Sequence, residues 1–139
     1  MKKHLISLAA VLCCGFTGAS FAAMDSAAYK TEKNKIEATA KSEKKACGAM
    51  KANAKDICQA EAKAKEKVAK AELDAQRKPG AAADAKVTKM KAEAQYEVAK
   101  EKCEDQQGAA QTACKKEAKA VQSAGKDQAK TEKAAAKKS

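Results

Sequence analysis

The spacing Cys-x10-Cys occurs twice in this chain, as Cys47…Cys58 and Cys103…Cys114, with 56 residues between equivalent positions. Each pair runs into a related tail, Cys58-Gln59-Ala60-Glu61-Ala62-Lys63-Ala64 and Cys114-Lys115-Lys116-Glu117-Ala118-Lys119-Ala120. Two cysteines separated in this way on one unbroken helix share a face but lie about 16 Å apart. A disulfide needs their Cα atoms within about 7 Å. Either the chain bends inside each pair, or each cysteine bonds to the other half of the chain.

Both pairs carry a bend signal near their middle, Ala52-Asn53 in the first and Gly108-Ala109 in the second. A fold there makes an antiparallel helical hairpin with the two sulfurs facing each other below the turn, and Ala54 and Ala110 let the helices approach closely. This geometry favours the local pairs Cys47–Cys58 and Cys103–Cys114, each worth about 3 kcal/mol by loop entropy. The crossed arrangement, Cys47–Cys114 with Cys58–Cys103, stands as the alternative. It resembles the twin Cys-x9-Cys hairpins of the mitochondrial intermembrane space, but the spacing here is one residue longer and a turn signal lies inside each pair.

The N-terminus reads as a secretory leader over residues 1–22. Lys2, Lys3 and His4 form a basic start, Leu5 to Phe16 an apolar run, and Ser20-Phe21-Ala22 places the cut after Ala22. Cys13 and Cys14 lack the preceding small residue that lipidation requires, since Leu12 and Cys13 stand there. After cleavage four cysteines remain, all in the two motifs. An even count in an exported chain implies two disulfides and an oxidising compartment, here the periplasm. No second apolar stretch is long enough to span a bilayer, so the expected mature chain is soluble, with no transmembrane segment.

The 45% hydrophobic content is mostly alanine, 32 of the 117 residues that follow the leader. Large apolar side chains are few, and the only aromatics after the leader are Tyr29 and Tyr96. A thick core is excluded. Helix propensity is high, because Ala, Lys, Glu and Gln dominate. Glu37–Lys41, Glu61–Lys65, Glu66–Lys70 and Asp74–Lys78 have the acid four residues before the base, a helix-supporting order. No segment alternates like a strand.

These features define an all-α fold of two tandem disulfide-stapled antiparallel hairpins, able to dock as a loose four-helix bundle. Arg77-Lys78-Pro79-Gly80 divides the halves. The expected organisation is a first hairpin over 23–78, a linker over 79–84, a second hairpin over 85–125 and a lysine- and alanine-rich tail over 126–139, frayed or disordered. Asp25 or Ser26, Asn53 and Asp84 are candidate helix caps, and Gly108 a left-handed helix stop. On the helix before Cys103, Val87, Met90, Ala94 and Val98 form one stripe, and Ala92, Tyr96, Ala99 and Cys103 run beside it.

Little chemistry is implied. His4, the sole histidine, leaves with the leader, and there is no Cys-x-x-Cys redox motif, so the expectation is no enzyme and no cofactor. Zinc sites use closely spaced cysteine pairs, which are missing. Reduced thiols could still hold a soft ion such as copper or silver. The formal charge is +11, or +9 without Lys2 and Lys3, which points to anionic partners. In the periplasm those are envelope polyanions rather than nucleic acid.

The run Ala94-Gln95-Tyr96-Glu97-Val98-Ala99-Lys100-Glu101-Lys102-Cys103, with Cys114-Lys115-Lys116-Glu117-Ala118-Lys119-Ala120, resembles a family of small exported alanine- and lysine-rich helical proteins of Gram-negative bacteria. Asn53-Ala54-Lys55-Asp56-Ile57-Cys58 and Glu66-Lys67-Val68-Ala69-Lys70-Ala71-Glu72-Leu73 resemble the same family's first half. Some members carry a TolA-type cell envelope biogenesis label. Ala40 and Gly108-Ala109-Ala110-Gln111-Thr112 depart from the family pattern. The resemblance implies a location and a shape: a periplasmic, non-enzymatic, envelope-associated or stress-related protein. Electrostatic binding of envelope polyanions and soft-metal buffering are the competing expectations. The oligomeric state is not encoded in any motif.

Overall fold

A computed structural model of the chain describes residues 24–137. The expected leader, residues 1–22, lies outside the described residues. Four helices follow one another: α1 (Ser26–Ala46), α2 (Ala52–Arg77), α3 (Ala81–Cys103) and α4 (Gly108–Ala135), with one 3-10 turn, Cys47–Ala49, between α1 and α2. Among the described residues there is no strand. No described helix is long and apolar enough to cross a membrane.

Local chemistry explains where the helices start. Asp25 caps α1, its carboxylate accepting from the N–H groups of Ala27 at 2.7 Å and Ala28 at 3.0 Å. These bonds to the charged form lower the Asp25 pKa. The two hairpin bends share a backbone plan. Lys51 and Gln107 are extended, with φ near −125° and −127°, and no side chain caps either helix. Ala52 and Gly108 then take positive φ, 48° and 58°. Gly108 therefore opens α4 instead of stopping α3. Asn53 does not cap α2, and Asp84 lies in the first turn of α3, whose N-cap is Gly80. The connection between hairpins is accordingly only Lys78–Pro79–Gly80, shorter than the expected linker over 79–84.

Among the described residues the helices pack only with their neighbours in sequence: α1 on α2, α2 on α3, α3 on α4. This is an open layer of antiparallel helices. The two hairpins dock through α2 and α3, as expected of loosely docked hairpins, but the layer does not close: among the described residues α4 makes no contact with α1. The residue pattern supplies the reason. A closed bundle turns one broad apolar stripe of each helix inward. Here the inner helices bury small residues on two opposite sides. In α2 these are Ala60 and Ala71 on one side and Ala62 and Leu73 on the other; in α3, Ala94 on one and Ala85, Ala92 and Cys103 on the other. Steps of two residues on a helix point in nearly opposite directions, so each inner helix meets two neighbours. The two stripes expected on α3 are both present, Ala94 and Val98 against Ala64 and Val68 of α2, and Tyr96, Ala99 and Cys103 against α4.

The core is correspondingly thin. Among the described residues Leu73 is its largest aliphatic member, and the only fully buried side chains of any size are Cys47 and Cys103. The lysine-rich tail continues α4 to Ala135 with Ala129 buried, where fraying was expected. Two small residues hold it: Gly125 lets α4 close onto Ala92 of α3, and Ala129 reaches the groove beside Ala82 and Ala85.

Candidate functional site

The first staple joins Cys47 to Cys58 with Cα atoms 5.6 Å apart, and the second joins Cys103 to Cys114 at 5.7 Å. Pairing is local, and the crossed arrangement is overturned. Each bond spans a bend, as the eleven-residue separation requires once the helix breaks. Both bends lie at the same end of the layer, because α2 starts where α3 finishes. There Asn53 donates from Nδ2 to the Glu101 carbonyl at 2.8 Å, a second donor beside the Glu104 N–H on an oxygen in the last turn of α3, supplied from the other hairpin. Cys47 and Cys103 have no exposure at all, while Cys58 and Cys114 are half-buried. Sulfur locked in a disulfide has no thiolate to offer a metal or a substrate. Among the described residues no three His, Cys, Asp or Glu side chains converge as metal ligands.

The opposite end is fastened by polar groups that the sequence reading missed. The Tyr29 hydroxyl of α1 donates to Asp74 Oδ1 of α2 at 2.8 Å, and Lys86 of α3 reaches Asp74 Oδ2 at 2.8 Å. The Arg77 guanidinium lies 4.5 Å from the Tyr29 ring centroid. The Lys86 and Tyr29 hydrogen bonds lower the Asp74 pKa, and the bond to Asp74 raises that of Tyr29. One carboxylate thus ties three helices. The sequence offered only an Asp74–Lys78 pair, which does not form. Midway along the first hairpin, Glu66 accepts from Lys44 at 2.6 Å and Lys70 at 2.7 Å. Those bonds, Lys44's first, hold the Glu66 pKa down to about 2. Lys70 also reaches Glu37 at 2.9 Å.

The two faces of the layer differ in chemistry. Three mainly apolar grooves lie on one face, with volumes of about 230, 460 and 250 Å³. They are contiguous, since the first two share Lys65 and the last two share Gln95 and Ala99. Ile36, Val68, Val98 and Tyr96 line them, with Val121, 51% exposed, at the α4 end. Every lysine in these grooves is neutralised: Lys35 by Glu32 at 2.7 Å, Lys65 by Glu43 at 3.2 Å, Lys91 by Glu72 at 2.8 Å and Lys102 by Glu61 at 3.0 Å.

The other side of the α2–α3 seam is polar, with Asp56, Gln59, Lys63, Lys67, Glu97 and Glu101 along it. Glu93 and Lys89 continue that row by steps of four along α3 and lead into a groove of about 450 Å³ bounded by Lys86, Lys126, Lys130 and Lys133. Lys30 and Lys41 of α1 share the Glu37 side by steps of seven and four, and Lys119 of α4 shares the Lys126 side. Lys30, Lys41, Lys63, Lys67, Lys119 and Lys133 are exposed, and none of them forms an ion pair. The surplus positive charge therefore gathers on this face. No known family, curated protein or solved structure matches the chain.

Proposed function

We propose that the chain is an exported, non-catalytic protein of the bacterial periplasm that lays its basic face against anionic components of the cell envelope. The observation that carries this reading is the sorting of charge. Lysines on the apolar face are cancelled by acids, while on the opposite face lysines outnumber the acids and Lys30, Lys41, Lys63, Lys67, Lys119 and Lys133 have no carboxylate partner. Two disulfides suit an oxidising compartment. The resemblance to small exported alanine- and lysine-rich proteins supports the same location. A rigid layer also fits the role, because it holds its lysines at fixed spacing without folding on contact.

The test is binding of the oxidised chain to vesicles rich in anionic lipid, or to lipopolysaccharide, across a salt series. Affinity should fall steeply as salt rises, since screening acts on exposed charges. Replacing Lys126, Lys130 and Lys133 together by Glu should weaken binding at least tenfold, as a few charge contacts of about 1 kcal/mol each are reversed. Salt-independent binding, or no binding to either surface, rejects the reading. Soft-metal buffering is the weaker reading, because its four sulfur ligands are consumed in the staples.

A further inference from the structure

We propose that the apolar face is covered by a second copy of this chain, two layers meeting face to face with both basic faces turned outward. Three properties of that face argue for self-association. First, its apolar grooves run across all four helices, from Ile36 and Ala40 of α1 through Val68 and Val98 to Val121 of α4. A twofold contact presents the same patch on both partners, so the ridges of α2 and α3 can settle into the grooves of the other copy.

Second, the charges permit it. A chain with a large positive excess ordinarily repels its own copy. On this face each lysine already has its carboxylate, so two such faces approach without net repulsion. The same argument disfavours an anionic membrane as occupant. Seating the apolar face in lipid would direct the unpaired lysines away from the head groups.

Third, the area suffices. Helices about 9 Å apart and about 33 Å long give that face about 1,200 Å² per copy. A specific dimer needs roughly 600–800 Å² from each partner, so overlap of little more than half the layer is enough. The resulting slab, two helices thick, would also supply the burial that a single layer lacks, since Leu73 is the only large aliphatic buried among the described residues of one copy. It would expose a basic face on each side.

Sedimentation equilibrium of the oxidised chain, from low micromolar to millimolar concentration, tests this. A dimer is expected. Val121→Glu changes an exposed side chain and should leave the monomer folded while weakening the dimer at least tenfold; Val98→Glu, at the centre of the face, should weaken it more, because a charge would replace an apolar side chain in the middle of the interface. Lys130→Glu, on the opposite face, should leave the dimer intact. Circular dichroism verifies helix content in each variant. A chain that stays monomeric throughout the range overturns the proposal. So does a dimer that neither apolar-face variant weakens, and so does a monomer that partitions onto uncharged phosphatidylcholine vesicles, which would assign the face to lipid.

Discussion

Ala52 holds a φ of 48° at the position where Gly108, one repeat later, holds 58°. The backbone needs this left-handed residue to swing from the extended Lys51 or Gln107 into the next helix. Glycine adopts it freely, whereas an L-residue with a Cβ loses about 1 kcal/mol. Ala52→Gly should therefore raise stability by about 1 kcal/mol. Gly108→Ala should lower it by a similar amount, through backbone strain alone, since a Cβ there meets open space. Thermal melts of both variants give the comparison. Glycine at 108 made the sign of φ legible in the sequence, but the same sign at Ala52 was hidden, because alanine is the commonest residue in the chain and signals only helix. Glu66 carries a second residue-scale prediction. Its pKa falls from an ordinary 4.5 to about 2, so the folded state favours the carboxylate. The stability this gives is complete above pH 4.5 and disappears as pH drops toward 2. Across that window the native chain should lose more melting temperature than Glu66→Gln, which has no proton to take up.

At the scale of the helices, the ionic pattern in the sequence was legible in kind but mostly not in partner. Of the four acid–base pairs spaced for one helix, only Glu66–Lys70 forms. Glu37 reaches to Lys70, Glu61 to Lys102, Lys65 to Glu43 and Asp74 to Lys86, each on a neighbouring helix. Alanine seams explain the change. They bring helix axes so close that a lysine from the next helix competes with the lysine one turn away, and one sequence contains no record of which helices are adjacent. The apolar stripes were more readable, because burial follows helical period. Their destination was not: two alanine stripes on one helix fit a wide bundle face and a middle position in a layer equally well. Gly125 tests the close approach directly. In an exposed helix Gly→Ala gains about 1 kcal/mol. Here the added methyl collides with the Cβ of Ala92, on a helix that cannot yield by turning a side chain. Overpacking costs about 1–3 kcal/mol, so Gly125→Ala should be net destabilising, with loss of protection concentrated in the last turns of α4.

At the scale of the molecule, the decisive property is that, among the described residues, each helix rests only on its neighbours in sequence. Such a chain behaves like a short linear array, in which stability is a sum of adjacent interfaces and damage spreads one step at a time. The cysteine spacing announced the two bends and the local staples. It could not announce the open edge, because disulfides inside each hairpin say nothing about how α1 and α4 lie with respect to each other. Removing one staple exposes the difference. With Cys47→Ser and Cys58→Ser together, the first hairpin loses a closure worth about 3 kcal/mol. Its remaining ties are the Glu66 cluster, the Lys65–Glu43 pair, the Tyr29 contacts with Asp74 and Arg77, and a seam of alanines. Hydrogen exchange should then show α1 unprotected, α2 partly protected along its α3 side, and α3 and α4 close to native. A closed bundle predicts something else, since α1 would there support α4 and both would lose protection together. Equal loss in α1 and α4 would therefore contradict the layer, whereas exchange that decays from α1 toward α3 would establish it in solution.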